Sequence, residues 1–145
     1  KTMGVTAEVL FKARQINQVG SFMAGSSSTG AHAANGIAAV FIATGQDAAN
    51  VAESSSSIIF ADVDEAGNYY LSITLPSLIV ASYGGGTGLP TQQECLNILD
   101  CNGAGKVHKL AEIIGATVLA GEVSLMSAVL AGDWVTSHDA LGRNR

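Results

Sequence analysis

Residues 30–50 read GAHAANGIAAVFIATGQDAAN, and this stretch predicts an almost wholly apolar helix from about Ala31 to Gly45. One face of it, at the i, i+3, i+4, i+7 spacing of a buried helix, is formed by Ile37, Val40, Phe41 and Thr44. Alanines occupy most of the remaining positions. A helix that is apolar on all sides is usually central in its domain, so we expect the other elements to pack around this one.

Helical and extended patterns follow one another on either side of this central helix. Further helices are predicted over residues 6–18, 92–99 and 106–131. Strands are predicted over residues 57–60 and 69–74, with a third at 78–81. The order of helices, strands and helices indicates an α+β fold, with a small antiparallel sheet and a long C-terminal helical tract.

Local details of these elements can also be predicted. Thr6 is expected to cap the first helix, which would bury Val9, Leu10 and Ala13. The Ser- and Gly-rich residues 20–30 are predicted to form a loop. The long C-terminal tract is predicted to bend or break near its internal glycines, Gly115 or Gly121.

The composition of the 145 residues limits the possible classes of protein. Charged residues are only 13% and apolar residues 48%, against about 25% charged in an average soluble domain. Much of the surface is therefore expected to be buried in its own core or against other protein. The formal net charge of -5 argues against a nucleic-acid partner. The two cysteines have no metal-binding pattern, so we predict no metal site and a cytoplasmic location.

Two features of the sequence bear on membrane contact and on whether the chain is part of a longer protein. The apolar run from residue 113 to 130 contains Glu122 and two glycines, so we predict a buried core helix and no membrane contact. Lys1 leads almost directly into a helix without a start methionine or an apolar leader. We therefore expect the chain to be a piece of a longer protein.

Four short motifs carry groups suited to binding or catalysis. His32 and Asn35 lie one helical turn apart at a helix N-terminus, where they could meet an anionic or carbonyl ligand; a capped helix start with a packed histidine is the simpler interpretation. Asp47 either needs a partner near the core or is a solvated loop residue. The glycines of residues 84–88 suit either close approach to a nucleotide or a tight turn. His138 could be a general acid or simply solvated.

The sequences of three segments, and their order along the chain, resemble those of HMG-CoA reductases. The segments are GAHAANGIAAVFIATGQDAANVAESS, LSITLPSLIVASYGGGTGLPTQQECLNIL and GATVLAGEVSLMSAVLAGDWVTSHD. The resemblance extends from about Val19 to His138, and the GGGT and SHD sequences look more like the biosynthetic class than the degradative one. It implies that residues 1–145 are the C-terminal portion of the large, substrate-binding domain, without the small nucleotide-binding domain.

The resemblance also implies an activity and a set of site residues. The family reduces HMG-CoA to mevalonate and coenzyme A with two hydrides from NADPH, and NADH is not excluded. Asp47 matches the aspartate that tunes a catalytic lysine and glutamate, and His138 matches the histidine that protonates the departing thiolate. Substrate-contacting positions are matched by His32, Asn35, Leu125, Ala128 and Val129. The turn that borders the nicotinamide nucleotide is matched by Gly84, Gly85 and Gly86. The implied partners are the rest of the catalytic domain and a second subunit of a homo-oligomer.

Departures from the family pattern leave other hypotheses open. The catalytic lysine and glutamate are not in this chain, and Ile16 stands where many members have a lysine that pairs with the substrate carboxylate. Lys12 or Arg14 would have to replace that cation. A non-catalytic relative acting as a binding or scaffold module is the main alternative, although retention of Asp47 and His138 argues against it. An unrelated nucleotide-binding module would leave the GQDAAN and SHD segments unexplained.

Overall fold

The computed structural model describes residues 3–142, a mixed helical and sheet fold with one two-stranded sheet in that range. Its helices are α1 (Ala7–Met23), α2 (Ala33–Thr44), α3 (Val51–Ser54), α4 (Pro90–Ile98), α5 (Val107–Ala131) and α6 (Asp133–Ala140). Its strands are β1 (Ile58–Val63) and β2 (Tyr69–Thr74). Short 3-10 turns lie at Ala48–Asn50 and Gly85–Gly88.

Helix α2 is central, as its composition predicts. It contacts α3, α4 and α5, and Ile37 and Phe41 are fully buried. The buried apolar core around it consists of Ala33, Ile37, Phe41, Leu96, Cys101, Leu110, Ile114 and Val118. The helix ends where Gly45 adopts the left-handed conformation, with φ 71°, a backbone state that favours glycine. This reversal directs the chain into the loop that carries Asp47.

Helix α5 packs against α2 along one face and runs without a break from Val107 to Ala131. The predicted break near Gly115 or Gly121 is therefore wrong. Gly121 has a packing function, because its missing side chain makes room for the His32 ring. By length and composition alone α5 could cross a membrane, but the core helix of a soluble protein meets the same criteria.

The first two predicted strands are confirmed, and they form a hairpin. Strands β1 and β2 pair antiparallel from Ile58 opposite Thr74 to Val63 opposite Tyr69. The Asp64 carboxylate accepts backbone N–H groups from Ala66 and Asn68 and so closes the turn. Contacts of β1 with α1 and of β2 with α5 attach the hairpin to the helices.

Helix α1 differs from its prediction in length and in its buried face. Thr6 caps it as expected, but the helix continues to Met23 rather than ending at Gln18, so the first residues of the predicted loop are helical. Val9 is 46% exposed, whereas Arg14 is only 1% exposed. A long-range ion pair, which helical periodicity alone does not reveal, explains the burial of Arg14.

The predicted third strand is absent from the described part of the chain. Residues 78–81 are connecting backbone. Both backbone hydrogen-bonding groups of Ala81 are taken by the side chain of Gln46 rather than by a neighbouring strand. The segment from residue 78 to 88 therefore crosses the end of α2 as a loop.

Candidate functional site

The loop after α2 holds Asp47 at the start of a short 3-10 turn. Its Oδ1 accepts the Ala49 backbone N–H at 2.9 Å, which satisfies a donor at the beginning of that turn. The residue is exposed. Of the two hypotheses for Asp47, the solvated loop carboxylate describes its present surroundings in residues 3–142. Fixing one oxygen leaves the other available to a group from outside this chain.

Asp47 and the glycine turn line one cavity of about 610 Å³. Its walls are Gly45, Gln46, Asp47, Asn50, Ile79, Val80, Ala81, Tyr83, Gly84, Gly85, Gly86 and Thr87. The structure therefore brings together the predicted catalytic aspartate and the predicted nucleotide-contacting turn. Asn50 adds an amide to the same wall, and sequence reasoning did not single it out.

The conformation of the glycine turn explains its composition. Gly84 and Gly85 have φ angles of 89° and 56°, which favour glycine, and a side chain on either would extend into open space. At Gly86 a Cβ would lie 2.7 Å from the Gly45 carbonyl oxygen, so the turn approaches the end of α2 too closely for a side chain. Thr87 closes the turn, donating its hydroxyl to the Gly84 carbonyl at 2.6 Å. The part of the cavity wall formed by Gly84, Gly85 and Gly86 is therefore bare backbone, over which a flat ligand could lie closely.

His32 lies at the opposite end of α2. Helix α2 has 12 residues, so its ends are about 18 Å apart at the usual rise per residue. The His32 ring packs against Gly36 and Gly121, and its Nδ1 is buried without a partner in the part of the chain that the structure describes. Asn35 is exposed one turn further along α2. The structure does not bring this pair into the cavity of Asp47.

A buried charge pair supports the N-terminus of α2. Glu122 of α5 accepts the backbone N–H groups of His32 at 2.6 Å and Ala33 at 3.2 Å through Oε1. Its Oε2 accepts Arg14 Nη1 at 3.2 Å, and both side chains are essentially inaccessible to solvent. Sequence reasoning missed this arrangement, although an acidic residue on the buried face of an otherwise apolar helix is a signal for it.

A second, mainly apolar cavity of about 440 Å³ lies between α1 and α5. It is lined by Ala13, Ile16, Asn17, Ala31, Leu125, Met126, Val129 and Leu130. Two of the predicted substrate-edge residues, Leu125 and Val129, therefore face it, whereas Ala128 is half-buried outside its lining. The guanidinium of Arg14 is occupied by Glu122, which argues against Arg14 as the replacement for a cation at Ile16. Lys12 is exposed on the same helix.

His138 lies on α6, the helix that follows α5 after Gly132. Its ring stacks on Trp134 with centroids 4.1 Å apart, and Nδ1 bonds to the Trp134 carbonyl. The residue lines neither cavity. Within residues 3–142, no group of three or more metal-ligating side chains converges. Among the described residues, His138 therefore does not share the cavity that Asp47 lines.

Comparison with known proteins assigns the chain to a family. The family model described as hydroxymethylglutaryl-coenzyme A reductase matches residues 1–143. The 3-hydroxy-3-methylglutaryl-coenzyme A reductase of Aeropyrum pernix is 52% identical over 88% of the chain and that of Methanothermobacter thermautotrophicus 48% over 88%. The enzyme of the same name in Methanocaldococcus jannaschii is 44% identical over 99% of the chain.

The matched region is only part of each relative. The chain covers 31%, 32% and 35% of the A. pernix, M. thermautotrophicus and M. jannaschii proteins, respectively. The match nevertheless includes the segment that joins α2 to the Asp47 loop and the glycine turn. The chain belongs to the hydroxymethylglutaryl-coenzyme A reductase family.

Proposed function

We propose that the protein containing this chain is a biosynthetic-class HMG-CoA reductase, which reduces HMG-CoA to mevalonate and coenzyme A at the expense of two NADPH. The chain would be the C-terminal part of its large domain. The observation that carries the proposal is the single cavity lined by Asp47 and by Gly84, Gly85 and Gly86. The reaction needs these two elements side by side, because the groups that protonate the substrate carbonyl oxygen must lie next to the carbon that accepts the hydride.

The glycine turn fits the nicotinamide end of NADPH. The flat face of a ring can approach backbone that carries no side chains, and side chains at Gly84 or Gly85 would extend into open space. When bound, NADPH supplies hydride to the thioester carbonyl and then to the aldehyde. Asn50 and the backbone of the turn offer hydrogen-bonding groups in the same wall. The residues present are therefore compatible with this cofactor.

Asp47 would act as an electrostatic anchor in this cavity. The Ala49 N–H holds one carboxylate oxygen, which limits rotation of the side chain. The other oxygen can then receive a lysine ammonium or a protonated glutamate supplied from outside residues 3–142. Such a pair polarises the substrate carbonyl and stabilises the negative charge that forms on its oxygen.

His138 would protonate the departing coenzyme A thiolate, which stops the thiolate from attacking the aldehyde again. Because His138 lines neither cavity, this step would take place where the chain meets the rest of the domain or a second subunit. A homo-oligomer with shared active sites satisfies that requirement. The apolar groove between α1 and α5, with Leu125 and Val129 in its wall, would receive part of the substrate.

The first experiment is to measure the intact mass of the natural product and then NADPH oxidation with HMG-CoA in a spectrophotometer. Asp47→Asn and His138→Gln should each lower turnover by about 10²–10⁴-fold, the usual contribution of positioned proton-transfer groups. Asp62→Asn is a matched control, because Asp62 is also exposed and also accepts one backbone N–H. The proposal is wrong if Asp47→Asn is as active as Asp62→Asn.

A non-catalytic relative is the second candidate, and Ile16 favours it. This residue lines an apolar groove where many family members have a lysine, and the nearby Arg14 is already paired. A scaffold protein would be inactive both alone and with the upstream part of the domain added in trans. An active mixture would exclude this candidate.

A further inference from the structure

The side-chain amide of Gln46 holds the 78–88 segment against the end of α2. Its Nε2 donates to the Ala81 carbonyl at 2.9 Å, and its Oε1 accepts the Ala81 N–H at 2.7 Å. The same Nε2 donates to the Thr44 carbonyl at 3.2 Å. One side chain therefore forms the pair of hydrogen bonds that a neighbouring strand would otherwise provide.

A second contact joins the same two segments a few residues further on. Gly45 and Gly86 pack backbone against backbone, and a Cβ on Gly45 would overlap the Gly86 carbonyl group. Asp47 follows Gln46 directly, and the glycine turn follows Ala81 closely. Two neighbouring attachments of this kind fix both the distance and the orientation between the carboxylate and the turn.

Leucine, asparagine and ionised glutamate could not make the Gln46 contact. It requires a donor and an acceptor on one planar group, at the end of a side chain long enough to reach Ala81. Leucine has neither, asparagine is one methylene shorter, and ionised glutamate would direct an acceptor at the Ala81 carbonyl oxygen.

We infer that Gln46 is a positioning residue that sets the Asp47 carboxylate against the Gly84–Gly86 turn. The inference rests on the proposed reductase function for its catalytic consequence, but its structural part can be tested without activity. Gln46 itself contacts no reacting atom in this arrangement. It acts on the turn through its hydrogen bonds to Ala81. It acts on Asp47 because the two residues are adjacent in the chain.

The 78–88 segment has other attachments, so loss of the amide is expected to shift it rather than unfold it. Ser82 Oγ donates to the Gly103 carbonyl at 2.7 Å, and Gly103 N donates to the Ser82 carbonyl at 2.9 Å. The Ile79 N–H donates to Ser54 Oγ at 3.1 Å. A Gln46→Leu variant should therefore fold and can be measured.

The first test is amide hydrogen exchange in the longest natural product that contains this chain. In Gln46→Leu we expect faster exchange at Ala81, which loses its acceptor, and at Thr87, whose N–H lies within the turn. Gln93→Leu is the control, since Gln93 is exposed on α4. Unchanged exchange at Ala81 and Thr87 would overturn the inference, whatever the activity.

The second test uses Gln46→Glu and pH. A protonated carboxyl group can present one donor and one acceptor to Ala81, as the amide does, although it has no second hydrogen for the Thr44 carbonyl. The ionised form presents acceptors only. Protection of Ala81, relative to the unsubstituted protein at the same pH, should recover as the pH falls through the glutamate pKa, about 4.3 in model peptides. Absence of recovery in a folded variant would count against the hydrogen-bonding role.

The third test separates positioning from general stability. A misplacement of about 1 Å can lower the rate about 10²-fold, so kcat of Gln46→Leu should fall by about 10–100-fold. KM for NADPH should rise because the turn moves, while KM for HMG-CoA should stay unchanged. Loss of folded protein alone would lower kcat with both KM values constant, and that result would refute positioning.

The two proposals fail in different ways. An inactive unsubstituted protein with altered exchange in Gln46→Leu would remove the reductase function but support the Gln46 contact. An active unsubstituted protein whose Gln46→Leu variant has normal exchange and kinetics would leave the function intact and refute the positioning residue.

Discussion

Replacing Glu122 with glutamine should destabilise the protein strongly, because it leaves the buried guanidinium of Arg14 without a negative charge. Arg14 is 1% exposed and Glu122 is fully buried. Glutamine keeps an oxygen to accept the backbone N–H groups of His32 and Ala33, so the start of α2 stays capped. It would, however, place an N–H₂ group where Oε2 now accepts Arg14 Nη1 at 3.2 Å.

The size of the effect follows from this arrangement. Removing one partner of a buried ion pair usually costs about 3–5 kcal/mol. Arg14→Met should cost less, about 2 kcal/mol, because the carboxylate keeps its two backbone donors. The double variant loses both charges and should be more stable than the sum of the single changes predicts, by about 2 kcal/mol.

Urea unfolding followed by circular dichroism provides the assay. With a slope of about 1–3 kcal/mol per molar urea, a loss of about 3–5 kcal/mol in Glu122→Gln should lower the midpoint by roughly 1–5 M. Glu112→Gln is the matched control, since it makes the same change at an exposed position of the same helix. The ion pair does not have the proposed energetic role if the Glu122→Gln midpoint equals that of the control. The same conclusion follows if the effects of Glu122→Gln and Arg14→Met add up in the double variant.

Two further predictions concern other parts of α5 and the turn before it. Gly121→Ala should lower the free energy of unfolding by about 1–3 kcal/mol, because the added Cβ would overlap the His32 ring. Gly115→Ala is the control and should be stabilising, because a Cβ there meets nothing within 4 Å. Equal melting temperatures of the two variants would refute the packing argument. Hydrogen bonds and charges from nearby lysines, Lys106 foremost, lower the pKa of Asp100 from 3.8 to about 2. Because its folded-state pKa is depressed, the stability that Asp100 contributes is present above pH 3.8 and is lost as the pH falls towards 2; an NMR titration midpoint near the ordinary value would contradict this.

The central helix and the hairpin could be predicted because their signals are local. The apolar periodicity of α2 and the turn residues between the strands are contained within short stretches of sequence. The predicted third strand failed because a residue far away in sequence, Gln46, takes the backbone groups of Ala81. Likewise, the pattern of α1 predicted Val9 in the core, whereas the position of Glu122 determines that Arg14 is buried instead.

The candidate site follows the same division. Resemblance to the family identified Asp47 and the glycine turn, but nothing in the spacing of residues 47 and 84 indicates that they share a cavity. That proximity depends on contacts between the end of α2 and the 78–88 segment, and these are long-range. Asn50 and Gln46 were missed because a single amide side chain in a sequence can have many functions. Only its contacts in the folded structure show which of these functions it has.

The two ends of α2 have separate tasks, and this separation has a measurable consequence. At the N-terminus the Glu122 carboxylate satisfies backbone donors and a buried guanidinium, so changes there act on stability. At the C-terminus Gly45 and Gln46 attach the glycine turn to the Asp47 loop, so changes there act on the geometry of the cavity. Sites more than about 7–10 Å apart without shared partners usually have additive effects. The helix is about 18 Å long, so the two ends should behave independently. A change at Glu122 should alter the midpoint of unfolding without altering the amide exchange of Ala81 in the folded protein. A change at Gln46 should alter the amide exchange of Ala81 without altering the midpoint of unfolding.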